Sequence, residues 1–283
     1  MKTTEIYADF HVHTHISPCG KQQATAQAMI QRAVEKGLAA FGFADHFTPN
    51  PIPGCAFYDA QRIDILTRLR DELAMMDLPG TMDVLVGVEA DYTLAGAGCL
   101  DTAILRATDH IICAASHFHL PAAPVPVEDT PAAKAELMIR MAKETLMLPG
   151  VSVLAHPFDC GKMRPLGPIV ATVPESALVE IITLANRQDV AIEINGGAAQ
   201  DLAYRDAAEP FFLLACEMGA QFTLTADAHH PDDLERLDIA LDWAVSMGFR
   251  ETDFLSAGEL RQRQQVKVNQ YLTGSAVNAF VKG

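Results

Sequence analysis

The sequence lacks an apolar run long enough to span a membrane, and its N-terminus has no apolar stretch typical of a signal peptide. We therefore expect a cytoplasmic protein. It contains neither a G-x-S-x-G elbow nor a Walker-type glycine loop, which argues against the common serine-hydrolase and P-loop chemistries. Its six cysteines include no CxxC pair and indicate no disulfide framework. They are Cys19, Cys55, Cys99, Cys113, Cys160 and Cys216, of which Cys113 and Cys216 lie in apolar stretches and are expected to be reduced core residues.

Positive charge is scarce, with 21 Lys and Arg against 36 Asp and Glu and a formal net charge of -15. Such a chain repels nucleic acids and anionic membranes over most of its surface, so neither is an expected partner. A small anionic metabolite can still bind beside metal ions, because bound cations set the local field. The oligomeric state is left open.

Short strand-like runs alternate with helical ones along the 283 residues, and this alternation predicts a parallel sheet. Seven strands in one run indicate a barrel or a doubly wound sheet. No linker or low-complexity stretch interrupts them, so we expect a single domain over residues 1–283. The predicted strands are 5–10, 40–44, 83–89, 110–116, 151–156, 190–195 and 221–226. The predicted helices are 24–36, 59–76, 131–148, 175–187, 207–218 and 232–247.

Polar side chains follow the predicted strands at their carboxyl ends. His11 and His13 follow the first strand, and Glu89 ends the third. In parallel α/β proteins the carboxyl ends of the strands share one face, which carries the active site. We therefore expect distant residues to converge into one cluster of histidines and carboxylates. Its other members are Asp45, His46, Asp91, His117, His119, His156, Glu193, Asn195, Asp227, His229 and His230.

Three histidines alternate in the segment YADFHVHTHISPCG, residues 7–20: His11, His13 and His15. Side chains repeat every two residues in an extended segment, so His11 and His13 can bind one ion from the same side. Imidazoles and carboxylates together suit zinc, manganese, iron and related divalent ions. Any one of these residues could equally serve a turn or the core, whereas the strand ends taken together indicate metal binding.

These motifs resemble those of the PHP family, named for polymerase and histidinol phosphatase. The family's D-x-H-x-H-T motif is similar to DFHVHT at 9–14, and its glycine-led G-x-E motif to GVEADY at 87–92. The resemblance extends from Asp9 to Asp232 and implies a distorted (β/α)7 barrel with the active site at the C-terminal ends of its parallel strands. The other similar motifs are ADH at 44–46, ASHFH at 115–119, AHP at 155–157, EINGG at 193–197 and DAHHP at 227–231.

The resemblance implies a centre of two or three divalent ions, which would be zinc, manganese or iron. Histidines supply most of the implied ligands, and Glu89 would bridge the first two ions. The ligands would be His11, His13, Glu89 and Asp227 for the first ion, Glu89, His117 and His156 for the second, and His46 and His229 for the third.

The third ion of the family usually has one more ligand, eight residues after the first histidine, and this chain has Cys19 there. A thiolate suits zinc or iron and is a poor ligand for manganese. From its place in SPCG we expect Cys19 to be a turn residue whose thiol points away from the site, which makes His15 the alternative ligand. His117 lies closer to its strand than His119 and is the expected ligand of that pair.

The chemistry implied by the resemblance is hydrolysis of a phosphate ester by a hydroxide that bridges two ions and attacks phosphorus in line. The other ions would neutralise the phosphoryl oxygens. Glu89, Asp227 and His229 are the catalytic candidates. Asp9, next to the ligands, is expected to orient a histidine ring.

The motifs are most similar to the histidinol-phosphatase branch, which implies a small phosphate monoester similar to histidinol phosphate. Lys162 and Arg164, in the segment PFDCGKMR, and Asn195 are candidate substrate-binding residues. Solvation in an ordinary loop is an equal interpretation for the two cations. The alternatives are a phosphoesterase acting on nucleotides and an amidohydrolase-like enzyme cleaving a C–N bond. The amidohydrolase alternative would usually need eight strands and often a carboxylated lysine, and no lysine follows a predicted strand.

Overall fold

The computed structural model describes residues 7–48, 64–91, 100–119, 123–159 and 163–273. Within these ranges seven parallel strands form one sheet in chain order. The sheet curls into a nearly closed barrel with helices outside, which confirms the predicted (β/α)7 architecture. The strands are β1 (Ala8–Val12), β2 (Ala40–Phe47), β3 (Asp83–Asp91), β4 (Ile111–Ala114), β5 (Val153–Ala155), β6 (Ala191–Asn195) and β7 (Phe222–Thr225).

The outer helices bury one apolar face each against the strands. In α9 the N-terminus is fixed by a capping box, in which Ser256 and Glu259 each bond the other's backbone N–H. None of the helices in the described ranges is both long enough and apolar enough to cross a bilayer. The helices are α1 (Ala26–Lys36), α2 (Asp64–Ala74), α3 (Thr102–Ala107), α4 (Pro131–Leu146), α5 (Leu166–Val170), α6 (Glu175–Arg187), α7 (Leu202–Glu217), α8 (Arg236–Ser246) and α9 (Ala257–Leu272).

The seam between β1 and β7 is closed by a buried carboxylate rather than by a continuous ladder. Only an isolated bridge pairs Val12 with Ala228 among the described residues there. Below it, the Asp9 carboxylate accepts hydrogen bonds from the backbone N–H of Ala226 at 3.0 Å and of His11 at 3.1 Å. Asp9 therefore joins the first and last strands, and it orients the backbone of His11 rather than a histidine ring.

A bulge in β1 aims the first histidine into the barrel. Asp9 pairs with Phe41 and Val12 with Phe43, so two residues of β1, Phe10 and His11, lie opposite the single residue between those partners. Phe10 packs in the barrel interior with the alanines of neighbouring strands. Side chains normally alternate between the two faces of a strand, so His11 would point outward after the inward Phe10. The extra residue of the bulge turns the side chain of His11 inward as well. β1 ends at Val12, whereas the sequence pattern predicted its end at Phe10.

Beneath the site, a buried histidine fills the space left by two glycines. His110 is fully buried, and its Nε2 donates to the carbonyl oxygen of Phe10 at 2.8 Å. A Cβ on Gly42 would lie 3.0 Å from Cε1 of His110, and a Cβ on Gly87 would lie 2.4 Å from the same atom. These glycines are required by the close approach of the ring, which supports β1 just before its histidines.

The described cysteines are free thiols: Cys113 is buried, and Cys19 and Cys216 are partly buried. Cys55, Cys99 and Cys160 lie outside the described residues.

Candidate metal centre

A cavity of about 190 Å³ lies at the carboxyl ends of the strands, where the predicted cluster converges. The described residues that line it contribute six imidazoles, three carboxylates and one thiol, and no lysine or arginine. Residues far apart in sequence meet here because parallel strands end on the same side of the barrel. The lining is therefore rich in ligands for cations and has no cationic side chain of its own, apart from protonated histidine.

Glu89 occupies the centre of this cluster. Its Oε2 lies 3.4 Å from Nε2 of His11 and 3.5 Å from Nε2 of His13. Its Oε1 lies 3.4 Å from Nε2 of His117 and 3.2 Å from Nε2 of His156. Oε2 also lies 2.9 Å from Nδ1 of His46, so one oxygen faces three imidazoles and the other faces two, an arrangement suited to a carboxylate that bridges ions.

The first set of ligand atoms has the spacing of a coordination shell. His11 Nε2 and His13 Nε2 lie 3.2 Å apart, and Asp227 Oδ1 lies 3.7 Å and 3.3 Å from them. Ligand atoms about 2.1 Å from a tetrahedral zinc ion lie about 3.4 Å from one another. The separations among these atoms, including those to Glu89, fall on both sides of that value.

The other nitrogen of two of these rings is held by an acceptor. His11 Nδ1 donates to Glu193 Oε1, and His117 Nδ1 donates to Asp91 Oδ2, each at 2.6 Å. Burial raises the pKa of Glu193, but the opposing effect of His11 is larger in sum and holds that pKa below its ordinary value. Glu193 is therefore an ionised acceptor. The ring protons are therefore on Nδ1, and each Nε2 directs a lone pair at Glu89. Metal-binding histidines commonly have such a second hydrogen bond.

These lone pairs and the Glu89 carboxylate need a positive charge between them. Burial raises the pKa of Glu89, but the surrounding imidazoles, that of His46 first, hold it well below its ordinary value. Burial lowers the pKa of His156, but its hydrogen bond with Glu89 raises it to about 9. Without a metal the cluster therefore gains positive charge by binding protons. Divalent ions satisfy the same requirement, so the donor set fits the group that the sequence implied.

Two ligand candidates have an unusual backbone conformation. His156 has a φ of 23° and Asp227 a φ of 54°, both in the left-handed region that non-glycine residues rarely adopt. Such conformations are concentrated at functional sites, where the surrounding contacts hold them in place. At His156, the backbone N–H donates to Glu193 Oε2 and Nδ1 lies 2.8 Å from Ser116 Oγ. The turn after β5 thus aims this ring at Glu89.

A second group of ligand atoms lies nearer the mouth of the cavity, and we refer to it as the outer group. It comprises His13, Cys19, His46 and His229, whose potential ligand atoms all lie within 4.8 Å of one another. Burial raises the pKa of the Cys19 thiol, but the imidazoles of His13 and His46 lower it to about 4. His229 Nδ1 lies 3.0 Å from the carbonyl oxygen of Asp227, to which it donates, and this leaves Nε2 for a ligand.

Cys19 therefore faces the cavity, contrary to the expectation that its turn directs the thiol away. His15, the alternative, points elsewhere: its Nε2 lies 3.8 Å from Oε1 of Glu72 on α2. His15 and His13 do not share a face because the chain leaves its extended conformation after His13 and enters a turn. The expectation that His15 could serve as a ligand required the extended conformation to continue through His15, and it does not.

Of the predicted substrate-binding residues, the two that the structure describes, Arg164 and Asn195, do not line the cavity. Arg164 Nη1 donates to Asp201 at 3.1 Å, and its Nη2 lies 3.7 Å from Asp159. Asn195 is fully buried, and its Nδ2 donates to Glu193 and Asp227, so it supports carboxylates of the centre. Lys162 lies outside the described residues. The site roles of these residues and of the metal ligands stay predictions.

The sequence analysis assigned no role to Glu193 and Asp91, although it placed both at strand ends. Each holds a ring nitrogen of a ligand histidine. Their signal in the sequence was the position of an acidic residue at the end of a buried strand. His119 lines the cavity beside His117, with ring centroids 5.4 Å apart. His117, the expected ligand of the pair, is the ring that faces Glu89.

Solved structures share this fold. Histidinol phosphate phosphatase from Lactococcus lactis subsp. lactis, in complex with zinc, L-histidinol and phosphate, aligns with a TM-score of 0.64 and 14% identity over 89% of this chain and 97% of that chain. The proposed histidinol phosphatase of Listeria monocytogenes aligns with a TM-score of 0.55 and 14% identity over 81% of this chain and 97% of that chain. No family model matches the chain, and no curated protein matches its sequence. The chain therefore has the barrel fold of these histidinol phosphatase structures, as its resemblance to the PHP family implied.

Proposed function

We propose that the protein is a metal-dependent phosphoesterase that hydrolyses a small phosphate monoester. The observation that carries this proposal is the Glu89 carboxylate, whose two oxygens face separate sets of imidazoles, three on Oε2 and two on Oε1, at 2.9 to 3.5 Å. Two such adjacent sites are the arrangement used for in-line displacement at phosphorus. Bound divalent ions would supply a nucleophilic water of lowered pKa and positive charge for the phosphoryl oxygens.

Three of this chain's residues have distinct parts in the centre. Glu89 would hold the first two ions together, and Asp227 would complete the ligands of the first with His11 and His13. His229 lies at the mouth, where its ring stacks on His13 with centroids 4.3 Å apart. The first ion would be held by His11, His13, Glu89 and Asp227, the second by Glu89, His117 and His156, and the third by His46 and His229 with Cys19.

The composition of the cavity supports a small monoester. Its described walls have no lysine or arginine, so a phosphate would depend on the ions for neutralisation. Asp159 lies on the same wall and would favour an alcohol that carries a cationic amine. The Lactococcus lactis structure holds L-histidinol, an amino alcohol, together with phosphate. We therefore place a phosphorylated amino alcohol similar to histidinol phosphate ahead of nucleotides.

The test is phosphate release by the metal-free protein after reconstitution with zinc, manganese or iron. Histidinol phosphate, an aryl phosphate, nucleoside monophosphates and a peptide-like amide form the substrate set. Phosphate release that depends on metal and is lost in Glu89→Gln supports the proposal, because the amide has nearly the same shape but no charge. A folded, metal-loaded protein that releases no phosphate, or that cleaves only the amide, overturns it.

A further inference from the structure

Cys19 is fixed in the cavity by the turn that follows the two buried histidines. The N–H of Gly20 donates to the Ser17 carbonyl at 3.0 Å, and the N–H of Lys21 donates to the His229 carbonyl at 2.9 Å. A Cβ on Gly20 would lie 1.9 Å from the carbonyl oxygen of Thr14, so only glycine fits after the cysteine. The backbone of the turn that carries the thiol is therefore fixed by these contacts.

The immediate surroundings of the thiol are imidazoles. No carboxylate belongs to the outer group itself, although Glu89 Oε2 lies 2.9 Å from Nδ1 of His46. Cys19 Sγ lies 3.5 Å from Ser17 Oγ, and that oxygen accepts from the backbone N–H of His46 at 3.2 Å. If His13 binds the first ion, Cys19, His46 and His229 remain for the outer ion. Three protein ligands with one open position are typical of a catalytic zinc site.

The outer group differs in chemical character from the ligands around Glu89. The inner sets combine imidazoles with Glu89 and Asp227, and carboxylates accept harder ions such as manganese. The outer group combines imidazoles with sulfur, and thiolate selects zinc over manganese or magnesium. The two kinds of ligand lie in one cavity and share His13 and His46.

We infer that Cys19 is a metal ligand that makes the outer position selective for thiolate-preferring ions such as zinc, whereas the inner pair also accepts harder ions. The inference rests on the proposed metal-dependent function and deepens it, because it assigns different metal preferences to positions within one centre. Manganese alone would then fill the inner pair and leave the outer position weakly occupied.

The test uses cobalt(II) as a spectroscopic substitute for zinc and does not depend on turnover. Cobalt bound by a thiolate gives a sulfur-to-metal charge-transfer absorption in the near ultraviolet. We expect this band in the wild-type protein and its loss in Cys19→Ser, together with the loss of about one ion per chain. Cys19→His should keep the ion without the band. Cys216→Ser is the matched control, because Cys216 is a partly buried free thiol near Asp253, and it should keep both.

A second measurement tests selectivity. After equilibration with zinc and excess manganese, the wild-type protein should retain about one zinc ion per chain, and Cys19→His should exchange that ion more readily for manganese. The inference is overturned if the wild-type protein gives no band at full cobalt occupancy, if the band persists in folded Cys19→Ser, or if Cys19→His shows unchanged selectivity. An intact cobalt band without phosphate release would refute the proposed function alone.

Discussion

Replacing Glu193 with Gln tests whether a buried carboxylate outside the cavity controls metal binding inside it. In the structure four donors converge on this side chain. Oε1 accepts from His11 Nδ1 at 2.6 Å and Thr225 Oγ1 at 2.8 Å. Oε2 accepts from the backbone N–H of His156 and from Asn195 Nδ2 at 3.1 Å. Gln has nearly the same size but turns one acceptor into a donor, so one of these two pairs must face an NH2 group.

The expected loss follows from the choice that His11 then faces. If the amide nitrogen lies toward His11, the ring must accept at Nδ1 and carry its proton on Nε2, which removes the lone pair aimed at Glu89. If the amide nitrogen instead lies toward His156, the backbone N–H of His156 loses its acceptor. His11 then donates to a neutral amide oxygen, which is a weaker acceptor than the carboxylate. Loss of such an outer hydrogen bond typically costs 10 to 100-fold in metal affinity, or about 1.4 to 2.7 kcal/mol.

The assay is competition of the metal-loaded variant with a chelator of known affinity, followed ion by ion. Asp91→Asn is the matched variant, because Asp91 holds His117 as Glu193 holds His11. Glu193→Gln should weaken the ion at His11 and His13, and Asp91→Asn the ion at His117, with the cobalt–thiolate band of Cys19 kept in both. Wild-type affinity for every ion in folded Glu193→Gln would refute the reasoning.

Two further predictions concern stability. Gly87→Ala would place its Cβ 2.5 Å from the backbone carbonyl oxygen of His110, which cannot rotate away, so the free energy of unfolding in denaturant should fall by about 3 kcal/mol. Gly167→Ala is the control, because its Cβ would meet nothing within 4 Å and stability should not change. Equal losses in the two variants would contradict the packing argument. Burial lowers the pKa of Lys267 to about 7, whereas in the unfolded chain its pKa is about 10.4. Between these two pH values the unfolded state binds more protons than the folded state, so the free energy of unfolding should rise with pH across that range. Thermal unfolding against pH should show that Lys267→Met flattens this rise, whereas parallel curves would reject the assignment.

Much of the fold could be predicted because its signal is local. Each strand is a short buried run, and a polar residue marks its carboxyl end. Glu89 follows the apolar run VLVGV, and its pairing with β2 places it opposite His46. The convergence of distant ligands then follows from parallel strand order alone. α9 was missed because its sequence is polar and has little apolar periodicity, although the Ser256 and Glu259 capping pair was visible at its start.

The parts that could not be predicted depend on contacts between distant segments. The bulge at Phe10 and His11 is set by pairing with β2, so no pattern within β1 shows that both residues face inward. The direction of the Cys19 thiol depends on a backbone hydrogen bond from Lys21 to His229, more than two hundred residues away in sequence. The role of Glu193 likewise depends on donors from three other segments of the chain.

The charge of the molecule and the chemistry of the cavity are connected. A chain with a net charge of -15 repels a phosphate ester, and the described cavity walls supply no lysine or arginine to offset this. For the proposed phosphate ester, the attraction would then come from cations that the walls retain, and the walls are suited to this because the ionised Glu89 carboxylate lies among imidazole nitrogens. Substrate binding would therefore be coupled to metal binding, so that the protein attracts a phosphate only when its centre is loaded.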